Sequence, residues 1–139
     1  MKHEWYECRV KYEKTLDTGE KKKVTEAYVV KAVSLSDAEK RIIEELKPNI
    51  VGEFAATSAK VASFKEIFQS EEDKFYLCKV VFLSFDEDSG TEKKSNHSVL
   101  IQAEDFDDAR KRLDSCMKGT VSDWHVFSIV ETLFVSVFD

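Results

Sequence analysis

Residues 5–12 (WYECRVKY) and 75–82 (FYLCKVVF) are versions of one another, and the likeness runs in order almost to both ends of the chain. Tyr6, Cys8 and Val10 correspond to Tyr76, Cys78 and Val80 at an offset of 70. After one inserted residue, Gly19, Lys22 and Lys23 meet Gly90, Lys93 and Lys94. Ala32, Asp37, Ala38, Lys40, Arg41 and Lys47 then return as Ala103, Asp108, Ala109, Lys111, Arg112 and Lys118. Ser58, Phe64 and Phe68 return as Ser128, Phe134 and Phe138. A collinear internal repeat constrains the fold strongly, because what one copy forms the other is expected to form. The sequence therefore predicts two tandem copies, 3–68 and 73–138, joined at the acidic QSEEDK stretch (69–74) within a single domain, 1–139.

Each copy carries the same pattern of local signals. Tyr6, Cys8, Val10 and Tyr12 alternate with Glu7, Arg9 and Lys11, the period of two that marks a half-buried strand. Glycine-bearing turns (LDTGE, DEDSGTE) and second strands (TEAYVVKAV, SVLIQA) complete antiparallel hairpins. Ser34 and Asp105 then stand where helix N-caps belong, each three residues before an aspartate. Behind them Leu35, Ala38, Ile42 and Leu46 fall on one helical face, and Phe106, Ala109, Leu113 and Met117 repeat that stripe. Pro48 and Gly119 end the helices, predicted over 35–47 and 106–118. Residues 51–68 and 121–138 read as long or bent strands, with a helical turn allowed in the alanine-rich first copy.

Two β-β-α-β repeats predict an α+β fold: one mainly antiparallel sheet with both helices packed on one face, related by a pseudo-two-fold axis. One strand does not fit a half-exposed sheet. Opposite Tyr76, Cys78, Val80 and Phe82 lie Phe75, Leu77, Val81, Leu83 and Phe85, where the first copy has Glu7, Arg9 and Lys11. A strand apolar on both faces is usually covered on both. A homodimer seam is the expected cover, ahead of a ligand, with the C-terminal strand as the alternative.

Signals for catalysis are absent. The chain has no phosphate-binding glycine loop, nucleophile elbow, dinucleotide fingerprint or zinc-protease helix motif. His3, His97 and His125 are isolated, and the repeat sets Glu26 and Ala55 opposite the last two, so they read as surface or interface side chains rather than metal ligands. The fragment of a calcium loop in DEDSG lacks its further acid ligands in register. Cys8 and Cys78 are equivalent inner-face residues and read as small core hydrophobes. Three cysteines without a C-x-x-C pair suggest reduced thiols and a cytoplasmic setting. No segment approaches the length of a membrane span. The expectation is a protein without enzymatic activity, cofactor, metal or membrane association.

The basic pairs remain. Lys22 and Lys23 recur as Lys93 and Lys94 at the hairpins, and Lys40–Arg41 recur as Lys111–Arg112 on the helices. Cations towards a helix C-terminus complement its dipole. Hairpin lysines protect exposed strand edges, or bind anions. The chain has net charge −6 overall, yet residues 1–69 carry 13 basic and 12 acidic side chains against 8 and 15 in 70–139. The acidic excess opposes broad duplex binding. An anionic partner would therefore sit on Lys21, Lys22, Lys23, Arg9 and Lys11, with Lys93 and Lys94 as the related second site. Nearby Tyr and Trp rings could stack on bases, which makes single-stranded nucleic acid the leading expectation. The alternatives are a protein-interaction or inhibitor module acting as a homo-oligomer, and a sponge for a nucleotide signal.

The run WYECRVKYEK…GEKKKVTEAYVVKAVSLSDAEKRIIEEL…GEF, followed by FYLCKVVF…SGTEKKS…DARKRLD…MKGT, resembles an uncharacterised small domain family of gut Bacteroidetes, their prophages and phages. The resemblance spans nearly the whole chain. It implies a small cytoplasmic protein in a phage-type setting, where the inhibitor alternative would be a host-defence inhibitor module, and brings no activity or site residues with it.

Overall fold

The computed structural model describes residues 2–139. Each half of the chain follows one order: two long strands, a helix, a strand and a short closing strand. The first half contains β1 (Glu4–Thr15), β2 (Lys21–Ala32), α1 (Leu35–Leu46), β3 (Phe54–Val61) and β4 (Glu66–Phe68). The second contains β5 (Lys74–Asp86), β6 (Thr91–Ala103), α2 (Phe106–Met117), β7 (Asp123–Glu131) and β8 (Phe134–Phe138). The alternation in the sequence is realised as pairing without a slip. β1 lies antiparallel to β2 from Glu4 opposite Ala32 to Thr15 opposite Lys21, and β5 to β6 from Lys74 opposite Ala103 to Asp86 opposite Thr91. Gly19 and Gly90 close the hairpins with φ of 86° and 67°, a region that side chains with a Cβ avoid.

The protein is α+β, but the strands form two sheets where the sequence predicted one. They are ordered β3-β1-β2-β8 and β4-β6-β5-β7. Each is mostly antiparallel and mixed, because β8 runs parallel to β2 and β4 parallel to β6. The chain divides into two compact units. One runs up to Ala62 and takes back Leu133–Asp139; the other is Ser63–Thr132. Thus each unit's fourth strand comes from the other half of the chain. The long strands expected at 51–68 and 121–138 break into β3 with β4 and β7 with β8, and no helical turn forms in the first. With the break, β3 and β8 flank the first hairpin and β7 and β4 flank the second, giving two four-stranded sheets.

Each helix lies against its own sheet, α1 on β1, β2 and β3, and α2 on β5, β6 and β7. Ser34 Oγ accepts from the Asp37 N–H at 3.0 Å, and Asp105 Oδ1 from the Asp108 N–H at 2.8 Å. The aspartates reach back in turn, to the Val33 N–H at 3.0 Å and the Glu104 N–H at 2.9 Å. At each helix start one first-turn N–H donor left without a helical partner is thereby satisfied, together with the N–H of the residue just before the cap. Ala38, Ile42 and Leu46 are buried on Tyr6, Cys8, Val10, Tyr28 and Val30, with Phe138 packed alongside. Ala109 and Leu113 are buried on Tyr76, Cys78, Val80 and Ile101, with Met117 partly covered. Leu35 and Phe106, expected in the same stripes, are instead exposed at the first helical position.

The helix arginines do more than complement a dipole. The Arg41 guanidinium donates to the Lys31 carbonyl and, at 2.9 Å, to the Asp139 carbonyl just beyond β8. Arg112 donates to Asp108 at 2.8 Å and pairs with Glu72 at 3.8 Å, on the segment after β4. In each unit a helix arginine therefore ties down the chain that follows the crossed-over strand. No helix among the described residues is long and apolar enough to cross a membrane.

Replacing Asp105 by Ala removes an N-cap acceptor and should lower stability by about 1 kcal/mol in urea unfolding. The cysteines offer a second check. Cys8 and Cys78 are fully buried, and burial pushes their thiols up to about 11 and about 12, whereas Cys116 is exposed. Titration with an aromatic disulfide near pH 8 should modify one thiol in the folded protein and all three once it is unfolded.

Candidate nucleic-acid interface

Helix and strand lengths leave part of the first hairpin uncovered. β1 and α1 have 12 residues each. At their different rises they span about 40 Å and about 18 Å. The hairpin therefore runs on past α1 as a two-stranded ribbon, and residues 13–23 are exposed. Directly paired residues share a face, so the register sorts its charges. Arg9, Lys11 and Glu13 stand opposite Ala27, Thr25 and Lys23, and Thr15 opposite Lys21. These lie on the face away from α1. Lys60 of β3, opposite Glu7, adds to that face. Lys14 and Lys22 pair with each other on the α1 side.

Of the predicted basic residues, the structure thus brings together Arg9, Lys11, Lys21 and Lys23 and turns Lys22 away. All four are exposed, and among the described residues none of their side chains makes an ion pair. Lys93 and Lys94 differ. They occupy opposite faces of their own ribbon, paired with Ser84 and Leu83. Lys93 is taken by Asp86 at 3.2 Å, and this lysine, with the Asp88 and Ser89 N–H groups, holds the Asp86 carboxyl below the usual range.

The aromatic contribution is also sorted. Trp5 is on the same face as Arg9 and Lys11, with the Lys31 ammonium 5.7 Å from its ring centre. It lies six residues from Lys11, or about 20 Å along the strand. Tyr12 belongs to the α1 side, where its hydroxyl donates to the Glu26 carboxylate. That bond, then burial, raises the Tyr12 phenol to about 12; burial, then Glu26, raises Tyr28 to about 12.

Beside the basic face, where β3 begins and the edge of β1 comes free, lies a depression of about 520 Å³. Lys11, Tyr12, Glu13 and Lys23 come to it from the hairpin, and Glu53 and Phe54 from the start of β3. Glu13, Glu53 and Phe54 were not legible as site residues. Phe54 arrives only through the register that sets it opposite Tyr12, 42 positions away in sequence. In the other unit a depression of about 460 Å³ lies against Lys111, Arg112 and Cys116. Its arginine is engaged by Asp108 and Glu72, and burial, then Glu66, raises the Cys116 thiol.

The face opposite α2 holds the residues predicted to form a seam. Phe75 and Val81 are already buried within the single chain, Leu77 and Leu83 are half-buried, and Phe85 is 66% exposed. Of the histidines, His97 packs edge-on against Phe82 at 4.7 Å, while His3 and His125 are exposed.

An α+β chain of two mixed, mostly antiparallel four-stranded sheets with an exposed basic ribbon is what the residues build. Residues 4–139 match the family described as Domain of unknown function (DUF4494), and the chain belongs to that family. No curated protein and no solved structure matches it.

The raised tyrosines have a consequence for stability. Below about pH 10 the phenols are protonated in both folded and unfolded chains. Above it the unfolded chain loses protons first, so stability should fall between about pH 10 and about 12. Unfolding in urea at pH 9, 10 and 11 should show that decline, less steep in Tyr12→Phe.

Proposed function

We propose that the protein is a non-enzymatic binding protein of phage or mobile-element type, which holds single-stranded nucleic acid on its first hairpin. The observation that carries this is the exposed set of Arg9, Lys11, Lys21 and Lys23 on one ribbon face, unengaged by acidic side chains. Alternate residues of a strand are about 7 Å apart. That spacing lets a single strand laid along the ribbon set successive phosphates against successive cations. The fold supports a two-copy origin in its matching orders, β3-β1-β2-β8 and β7-β5-β6-β4. On that reading the copies diverged in charge, and the first retained the anion-binding ribbon.

Fluorescence anisotropy with a labelled oligo(dT) tests the proposal. Binding should weaken steeply with salt, log K falling by about 3 per tenfold rise for four phosphate contacts. Lys21, Lys22 and Lys23→Glu together should reduce affinity by at least about tenfold at low salt, since several phosphate contacts become repulsive. No binding at low salt, or binding indifferent to the triple change, rejects the reading.

A second reading, a protein-interaction module or homodimer, draws on Phe85, Phe127 and Val130, which are 66%, 70% and 56% exposed. Lysine at Val81 would put a charge into the core, so Phe85→Lys with Phe127→Lys is the informative variant. Sedimentation should show a wild-type dimer and a folded variant monomer; a wild-type monomer at micromolar concentration rejects this reading.

A further inference from the structure

We infer that the depression beside the basic face seats one base of the bound strand and selects guanine. This rests on the nucleic-acid reading and gives it a sequence preference that phosphate contacts cannot supply. The depression, about 520 Å³, falls within the range of small-molecule sites and has room for a nucleobase. Tyr12 and Phe54, a cross-strand pair, bring aromatic surface to it, and Tyr12 is fixed through its hydroxyl on Glu26. Lys11 and Lys23 reach the same depression from the face assigned to phosphates. A nucleotide placed there would meet cations and an aromatic surface together.

The preference comes from the other two charged groups. Glu13 and Glu53 line the depression, and among the described residues neither side chain has an ion pair or hydrogen bond. An ionised carboxylate only accepts hydrogen bonds. It favours a base edge that offers adjacent donors and disfavours one that offers lone pairs. Guanine alone carries two adjacent donor groups, N1–H and the 2-amino group, on the edge that single-strand readers use. Adenine and cytosine set a ring nitrogen acceptor beside their amino group, and thymine and uracil flank N3–H with carbonyls. Two lysines without the glutamates would bind any nucleotide; the glutamates turn a general anion site into a selective one.

The test is anisotropy on the full chain, using oligo(dT) and the same strand with one central dG, dA, dC or deoxyinosine. A bidentate base contact discriminates by roughly tenfold or more, so the dG strand should bind about ten times more tightly than oligo(dT). Deoxyinosine, which lacks the 2-amino group, should lose most of that gain. Glu13→Gln with Glu53→Gln should bring the dG-to-dT affinity ratio close to one. Equal binding of all strands by the wild-type protein overturns the guanine assignment and leaves the phosphate reading standing. Tighter binding of dA or dC, or a dG preference that survives both glutamine changes, also overturns it. Failure of the wild type to bind any strand removes the underlying nucleic-acid reading instead.

Discussion

The first hairpin is held in strict register from Glu4 opposite Ala32 to Thr15 opposite Lys21, and that register assigns every side chain to one of two faces. Because the pleat has a period of two, a slip of one residue would send Tyr6, Cys8 and Val10 to the outside and Arg9 and Lys11 into α1. Burying those charges unpaired would cost far more than the slip could return. Core formation and grouping of the cations are therefore one event. The apolar half of the alternation packs on Ile42 and Leu46, and the polar half becomes the basic face because nothing else is left for it.

A mismatch of lengths then separates folding from binding. A 12-residue helix covers less than half of a 12-residue strand, so the turn-proximal ribbon has little apolar contact and owes its order to cross-strand pairing. Such a segment can carry unpaired charge without disturbing the core. The second hairpin has the same geometry and a different use of it. Asp86 holds Lys93, and Lys94 stands opposite Leu83, so one of the two hairpin lysines is taken by an acidic side chain. One backbone plan thus offers two chemically distinct arms.

The short parallel strands finish the sheets. β8 reaches only Ala27–Val30 of β2, and β4 only Val99–Ile101 of β6. Both protect the part of the edge over the helix, where an unpaired N–H or C=O would be buried and costly. The rest of each edge points to solvent. Arg41 on the Asp139 carbonyl and Arg112 on Glu72 fasten the chain just past these strands. They occupy corresponding places in the two halves.

Much of this was written locally. Alternation at Tyr6–Tyr12, caps at Ser34 and Asp105, glycines at 19 and 90 and the stripes ending at Leu46 and Met117 specify their elements through interactions a few residues long. Hairpin and helix positions were legible for that reason, and so were the lysines as candidates. The partition of strands between two sheets was not, because 51–68 and 121–138 carry apolar residues without saying which edge they will pair with. Nor were Glu13, Glu53 and Phe54 legible as one site, since Phe54 reaches Tyr12 only by cross-strand pairing. Sequence by itself determined the faces of each strand and helix, because side-chain periodicity is a local property. Tertiary structure decided which strands closed each sheet, which lysines stood free and which side chains shared a depression, because those depend on pairing between residues far apart in the chain.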